Sequence, residues 1–387
     1  MMHYAKGTSA VRKETEFFKS KAETVCKFLV ICLLSFSANT YFKNISSTLA
    51  VLSAEMLVPN LSLISVTETE NYNTNKTDNT VSDIIIADNS ASTVASSDRI
   101  GTTPTDIIKL SEAYKKEYGN AKHDGKIIEK TYDRKSATSV FENITVRNTT
   151  PSHSINIEKS LNEKADLNIT DKSKPTVLIF HTHTTESYQM INEGWYTKAY
   201  PTRHDDKNQN MVRVGNAICE ELEKKGIGVI HDTEIHDRKY TGAYDNSRKT
   251  VEKILKENPT IQIVLDVHRD AIQQSDGTKI KPTFTYNGKK AAQVMIIAGC
   301  EDGKIEDFPN WEKNLTFALQ LHKEIETMFP QMMRPVLFSA RKYNMDVVPC
   351  SVLLEFGSDS NTLAEAEYSG RLVGMALSEY IEKNLEG

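Results

Sequence analysis

Four short, nearly continuous apolar runs, Val177–Phe180 (VLIF), Ile261–Leu265 (IQIVL), Val294–Ile297 (VMII) and Ser351–Leu354 (SVLL), alternate with stretches of helical spacing. Runs of this length suit strands buried on both faces. Met211, Val214, Ile218 and Leu222 recur at helical intervals until Gly226 ends the pattern, and Ile227–Ile230 then reads as another strand. Val251, Ile254 and Leu255 mark a helix closed before Pro259. Trp311–Met328 is amphipathic, with Leu315, Ala318, Leu319, His322 and Ile325 on one face, so His322 is read as a satisfied core residue. The last helix is expected from about Leu363 to Leu385, and Thr362 and Glu365 are spaced as a capping box at its start. Strands alternating with helices predict an α/β fold with a central mixed, largely parallel sheet flanked by helices. Residues 139–169 alternate only loosely and are expected to form edge strands.

Ligand sites in open α/β sheets form beyond the carboxyl ends of strands. Three of the runs are followed there by polar clusters: His181-Thr182-His183-Thr184-Thr185-Glu186-Ser187-Tyr188, Asp266-Val267-His268-Arg269-Asp270 and Glu355-Phe356-Gly357-Ser358. Two imidazoles and a carboxylate with one open position is the usual ligand set of catalytic zinc. His183 and Glu186, three residues apart, can face one ion, and His268 from another strand would complete the set. Glu355 is then the expected general base and acid. Asp266, two residues before His268 on the same strand face, is expected to orient its imidazole. His181 shares a face with His183 and stays open as an alternative ligand or supporting residue. Arg269 is expected either on a substrate carboxylate or paired with Asp270, and Tyr188 and Ser358 are further candidate substrate contacts. Ser187 and Cys350 lack the surroundings of a nucleophile. The five cysteines include no CxxC pair, so neither a disulfide framework nor a cysteine zinc cluster is indicated. A net charge of −5 offers no broad basic field, which argues against nucleic acid as a partner.

The amino-terminal third reads differently. Lys6, Arg12, Lys13, Lys19, Lys21 and Lys27 precede the apolar run Phe28–Phe36, the pattern of an export signal that leaves its amino terminus in the cytoplasm. No A-x-A cleavage site follows, so an uncleaved anchor is expected. From about Thr67 to Thr105 the chain is rich in Asn, Thr and Ser and cannot offset its ordering entropy, which suits a flexible tether.

HTHTTESY, the DVHRD strand end, and LLEFGSDSNTLAEA leading into a final helix together resemble the stage II sporulation protein P family, over roughly residues 140–387. The resemblance implies a zinc amidase-like fold. It also implies a zinc-dependent peptidoglycan hydrolase of forespore engulfment that cuts between N-acetylmuramic acid and L-alanine, with an added endopeptidase activity on stem-peptide cross-links. Implied partners are stage II sporulation proteins D and M, and the implied location is the membrane, with the catalytic domain in the space between mother cell and forespore. In the related amidases a carboxylate ligand begins the helix after the first histidine loop. Here that stretch, Lys207-Asn208-Gln209-Asn210, has no Glu, which is why Glu186 is assigned the role. The expected division is a cytoplasmic tail (1–27), a signal anchor (28–48), an interfacial segment and linker (49–105), a short helix and connector (106–139) and the catalytic domain (140–387). Two other functions fit the same residues: a zinc carboxypeptidase-like exopeptidase, or a non-catalytic wall-binding scaffold of an engulfment complex.

Overall fold

The structure, a computed structural model, describes residues 102–303 and 305–385. The expected tail and anchor, and almost all of the expected linker, lie outside them. No helix among the described residues is long and apolar enough to cross a membrane.

In chain order the elements are α1 (Thr105–Tyr118), β1 (Gly125–Lys130), β2 (Ser139–Phe141), β3 (Ile144–Asn148), α2 (Ile157–Asn162), β4 (Pro175–Phe180) and β5 (Trp195–Tyr196). They continue with α3 (Met211–Lys224), β6 (Gly228–His231), α4 (Ala243–Glu257), β7 (Ile263–Asp270), β8 (Lys279–Tyr286), β9 (Lys289–Ala292) and β10 (Val294–Gly299). The last are α5 (Trp311–Met328), β11 (Val336–Ser339), β12 (Cys350–Ser358) and α6 (Leu363–Lys383). Eight strands form one sheet in the order β2-β3-β11-β10-β12-β7-β4-β6. Strands β12, β7, β4 and β6 run parallel, whereas β10 lies antiparallel to β12 and parallel to β11. The sheet is therefore mixed, as the run-and-helix alternation predicts.

The period-two alternation of the strands sorts their side chains between two faces. Val177, Ile179, Ile263, Leu265 and Val267 join the large core with residues of α3, α5 and α6. Leu178, Phe180 and Val264 face the other way, against Val251, Ile254 and Leu255 of α4. Asp266 and His268 continue the Val264 face, and Glu355 continues that of Leu353, so the polar cluster is on the α4 side. Helices α3 and α6 approach through glycine: a Cβ on Gly374 would sit 2.8 Å from the Ile218 carbonyl oxygen. Thr362 and Glu365 form the predicted capping box at the start of α6.

Three expectations need correction. Ile155 and Ile157 look like alternation in the sequence, but Ile157–Asn162 is a helix, because the Asn156 side chain accepts a hydrogen bond from Lys159 N and caps it. Strand β3 is interior, between β2 and β11, with Ile144 and Val146 fully buried. A second sheet, β5-β1-β8-β9, has no counterpart among the predicted strands. Its main strand reads KIKPTFTY, and lysines break the apolar pattern there; Lys281 is buried because Glu365 (2.9 Å) and Glu129 (3.1 Å) pair with it.

His322 is in the core, 1 % exposed, as its place on the apolar face predicts, and its ring approaches the Arg334 backbone without a well-formed hydrogen bond. Burial holds its pKa down at about 4. The folded protein keeps this ring neutral, while the unfolded chain binds a proton below about 6.5. Its contribution is intact above that pH and is lost as pH falls towards 4, amounting to about 3 kcal/mol at most. Thermal unfolding followed by circular dichroism should therefore show a falling Tm between these pH values, and His322→Leu should flatten the slope. A variant with the wild-type slope would exclude His322 as its source.

Candidate active site

Strand β4 ends at Phe180, and the chain then turns so that Glu186 N donates to the His183 carbonyl at 3.0 Å. Threonines fasten this turn. Thr182 donates to Asp266 through its backbone N (2.9 Å) and its Oγ1 (2.7 Å), and Thr185 does the same to Asp237 (3.0 and 2.7 Å). Strands β7 and β12 run further than their apolar cores suggest, to Asp270 and Ser358, and every residue in both is buried. The ladder sets Glu355 directly beside His268. Both residues are within the strands themselves, because the backbone pairing continues while the side chains turn polar.

The structure brings the four central candidates together. The His183 and His268 rings are 5.4 Å apart and nearly perpendicular. Glu186 Oε2 is 3.5 Å from His268 Nδ1. Asp266 Oδ1 lies 2.7 Å from His268 Nε2, though out of line for a hydrogen bond, and so leaves Nδ1 as the nitrogen facing Glu186. His181 is placed elsewhere. Its Nδ1 donates to the Val267 carbonyl at 2.8 Å and its Nε2 meets His231 Nε2 at 2.8 Å, so both nitrogens are spent within the fold.

The expected substrate contacts turn inward. Arg269 is buried and donates to the carbonyls of Ser187, Asp270 and Thr202. Tyr188 OH donates to the Phe356 carbonyl, and Ser358 Oγ to that of Ile280; neither residue is exposed at all. Asp270 pairs not with Arg269 but with Arg334, at 3.0 Å. Buried donors and acceptors already matched inside the fold are not available to a substrate.

Residues that the motifs do not contain complete the site. Asp237 Oδ2 is 3.8 Å from His183 Nδ1, and Arg203 bridges Asp237 (2.7 Å) to Glu186 (3.2 Å). Tyr240 stacks parallel on the His183 ring at 4.7 Å, and the Tyr244 ring meets it edge-on at 5.7 Å. Asp237 and Tyr240 follow the carboxyl end of β6, the fourth parallel strand, which was the signal that could have found them.

Electrostatics marks the cluster as short of positive charge. Burial alone would raise Glu186, but Arg269 and His268 hold it well below the usual carboxylate range. Burial alone would lower His268, yet Asp266 and Glu186 raise it well above its ordinary value. Glu355 is pushed up to about 8 by burial and then by the charge of Asp270. Its Oε2 and the Nδ1 of His183 are buried with no hydrogen-bond partner. His183, Glu186 and His268 have the donor chemistry of a catalytic zinc site, with orphaned polar atoms around them, but their donor atoms do not all lie within 4.8 Å of one another. Asp232, Glu234 and His236 are the group whose donor atoms all lie within 4.8 Å of one another among the described residues. Within it His236 Nε2 is already 2.8 Å from Asp232 Oδ2, and Glu234 is exposed.

A family model described as stage II sporulation protein P (SpoIIP) matches residues 55–378. The chain is 31% identical over 222 residues to the stage II sporulation protein P of Bacillus subtilis (strain 168), a stretch covering 54% of this chain. It covers 52% of that protein, so the chain spans about half the length of the curated relative it matches. Similar solved structures include the CwlD amidase from Clostridioides difficile in complex with the GerS lipoprotein (14% identity, TM-score 0.34, 54% of this chain and 99% of that chain). Another is the N-acetylmuramoyl-L-alanine amidase AmiC2 of Nostoc punctiforme (10% identity, TM-score 0.33, 54% of this chain and 97% of that chain).

Proposed function

The chain belongs to the stage II sporulation protein P family, and from that premise we propose that it is a zinc-dependent hydrolase of peptidoglycan amide bonds. The observation that carries the reading is Glu355, a buried carboxyl with an unpartnered oxygen and a pKa near 8, set beside His268. A group that exchanges its proton near neutral pH is suited to both halves of an acid–base cycle.

His183, Glu186 and His268 would hold the metal, with Asp266 and Asp237 behind the two imidazoles. When bound, zinc acidifies a water and polarises the carbonyl. Glu355 accepts a proton from the attacking water. The water oxygen bonds to the carbonyl carbon, the carbon–nitrogen bond breaks, and Glu355 returns the proton to the departing amine. The substrate bond is that between the lactyl carbonyl of N-acetylmuramic acid and L-alanine, with stem-peptide cross-links as a second target. Stage II sporulation proteins D and M are its proposed partners. Residues 28–48 are the proposed anchor, placing the domain outside the cytoplasm, in the space between mother cell and forespore.

Purified full-length chain incubated with sacculi should release stem peptides bearing a new amino-terminal alanine, seen by muropeptide chromatography. A chelator should stop the release and zinc should restore it. Release of only terminal amino acids would favour an exopeptidase, and no release by zinc-loaded protein would leave a scaffold.

A further inference from the structure

Beside the candidate active site lies an open cleft of about 250 Å³, and Tyr244, which meets the His183 ring edge-on, forms part of its wall. Tyr343 stacks on Tyr244 with ring centroids 4.9 Å apart and planes 14° apart, and the Arg341 guanidinium lies 5.3 Å from the Tyr343 centroid, so an aromatic surface edged by a cation runs from the site into the cleft. Asp245, Arg248, Lys342, Asn344 and Asp346 supply the polar lining. Arg248 pairs with Asp346, and Lys342 reaches the same carboxylate at 3.3 Å.

We infer that this cleft is the subsite for the sugar on the acyl side of the scissile bond, an N-acetylated hexosamine ring of the glycan strand. The inference rests on the hydrolytic reading above and adds which part of the substrate goes where. A pyranose has one face of C–H bonds, whose positive edges are attracted to the negative face of an aromatic ring. Its rim of hydroxyl and acetamido groups needs donors and acceptors, which the charged and amide side chains provide. The stem peptide, by contrast, carries free carboxylates, and the lining of this cleft offers them no surplus of positive charge because its bases are matched by its acids. The volume is small beside the roughly 300–1,000 Å³ of typical ligand sites, and suits a single ring with its chain continuing into solvent.

The cleft wall is also tied to the site. Asn344 Nδ2 donates to Ser247 Oγ (3.1 Å), which shares a hydrogen bond with Thr182 Oγ1 (2.9 Å), which donates to Asp266 Oδ2 (2.7 Å). Asp266 in turn contacts His268. A ring seated in the cleft therefore rests on a wall that shares its hydrogen-bond chain with the proposed metal-holding histidine.

The test uses full-length protein carrying Glu355→Gln and reads binding, not turnover. The probe is peptide-free glycan strand of alternating N-acetylglucosamine and N-acetylmuramic acid, followed by ligand-observed NMR. Tyr343→Ala in that background should weaken strand binding about tenfold, while Tyr343→Phe should retain it. Tyr343→Leu, which keeps bulk but loses the ring face, is the second variant should the alanine form not fold, and carries the same expectation. Strand affinity unchanged in these variants would overturn the assignment. So would loss of binding to free stem tetrapeptide with strand binding intact. A chain that binds strands through Tyr343 but hydrolyses nothing would sink the enzymatic reading and leave the subsite standing.

Discussion

Glu355→Gln should abolish release of stem peptides from sacculi, lowering kcat by at least about 10³-fold. The substitution keeps the shape and removes only the capacity to exchange a proton. Its fold should be preserved, because burial already pushes the wild-type carboxyl up, to about 8, towards the neutral form that an amide resembles. Oε2 has no hydrogen bond to lose. Zinc bound per chain should be unchanged, since Glu355 is not placed among the ligands. The variant thus separates the two readings of the family motif: a scaffold would keep its function, whereas a hydrolase would keep metal and Tm and lose turnover. Muropeptide chromatography, metal analysis by mass spectrometry and thermal unfolding on the same preparation decide it. Turnover within about tenfold of wild type would remove Glu355 from the chemistry.

The parts of this site that the sequence makes legible share one property: they sit where an obvious apolar run stops. VLIF, IQIVL and SVLL are buried on both faces, so their ends are unmistakable, and His183, Glu186, His268 and Glu355 follow from them. Asp237 and Tyr240 come only after an irregular stretch beyond β6, so the end of that strand, though legible, does not point to them directly. Arg203 lies in an irregular segment that no periodicity marks. Tyr188, Arg269 and Ser358 show the opposite failure. Lying beside motif residues made them look like substrate contacts, but strand alternation and backbone pairing turn them inward. His181 and His183 cannot be separated by pattern, since both occupy one face; only the hydrogen bonds to Val267 and His231 show that His181 is used by the fold. The second sheet is hidden for an energetic reason. Lys281 is tolerated in it because Glu365, on a helix far along the chain, neutralises it, and such long-range pairing leaves no local signature.

Glu186→Gln should cost the protein its metal, with zinc affinity falling by more than about 10²-fold, while Asp237→Asn should cost roughly 10–100-fold. Two carboxylates approach the histidines, and the geometry assigns them different tasks. Glu186 Oε2 is 3.5 Å from His268 Nδ1, and its turn brings it to the same side as His183. Asp237 accepts from both Thr185 groups and from Arg203, and approaches His183 from behind, at Nδ1. Accepting from Thr185 N, Thr185 Oγ1 and Arg203 suits Asp237 to orienting an imidazole, whereas Glu186 accepts from Arg203 at Oε1 and the Arg269 backbone N at Oε2 and keeps lone pairs for coordination. Arg203 bridges the two, so its loss should mimic the milder variant. Competition of each protein against a chromophoric chelator measures the affinities without any turnover. If Asp237→Asn loses zinc outright and Glu186→Gln keeps it, Asp237 is the coordinating carboxylate, and Glu186 serves to hold His268 and Arg203 in place.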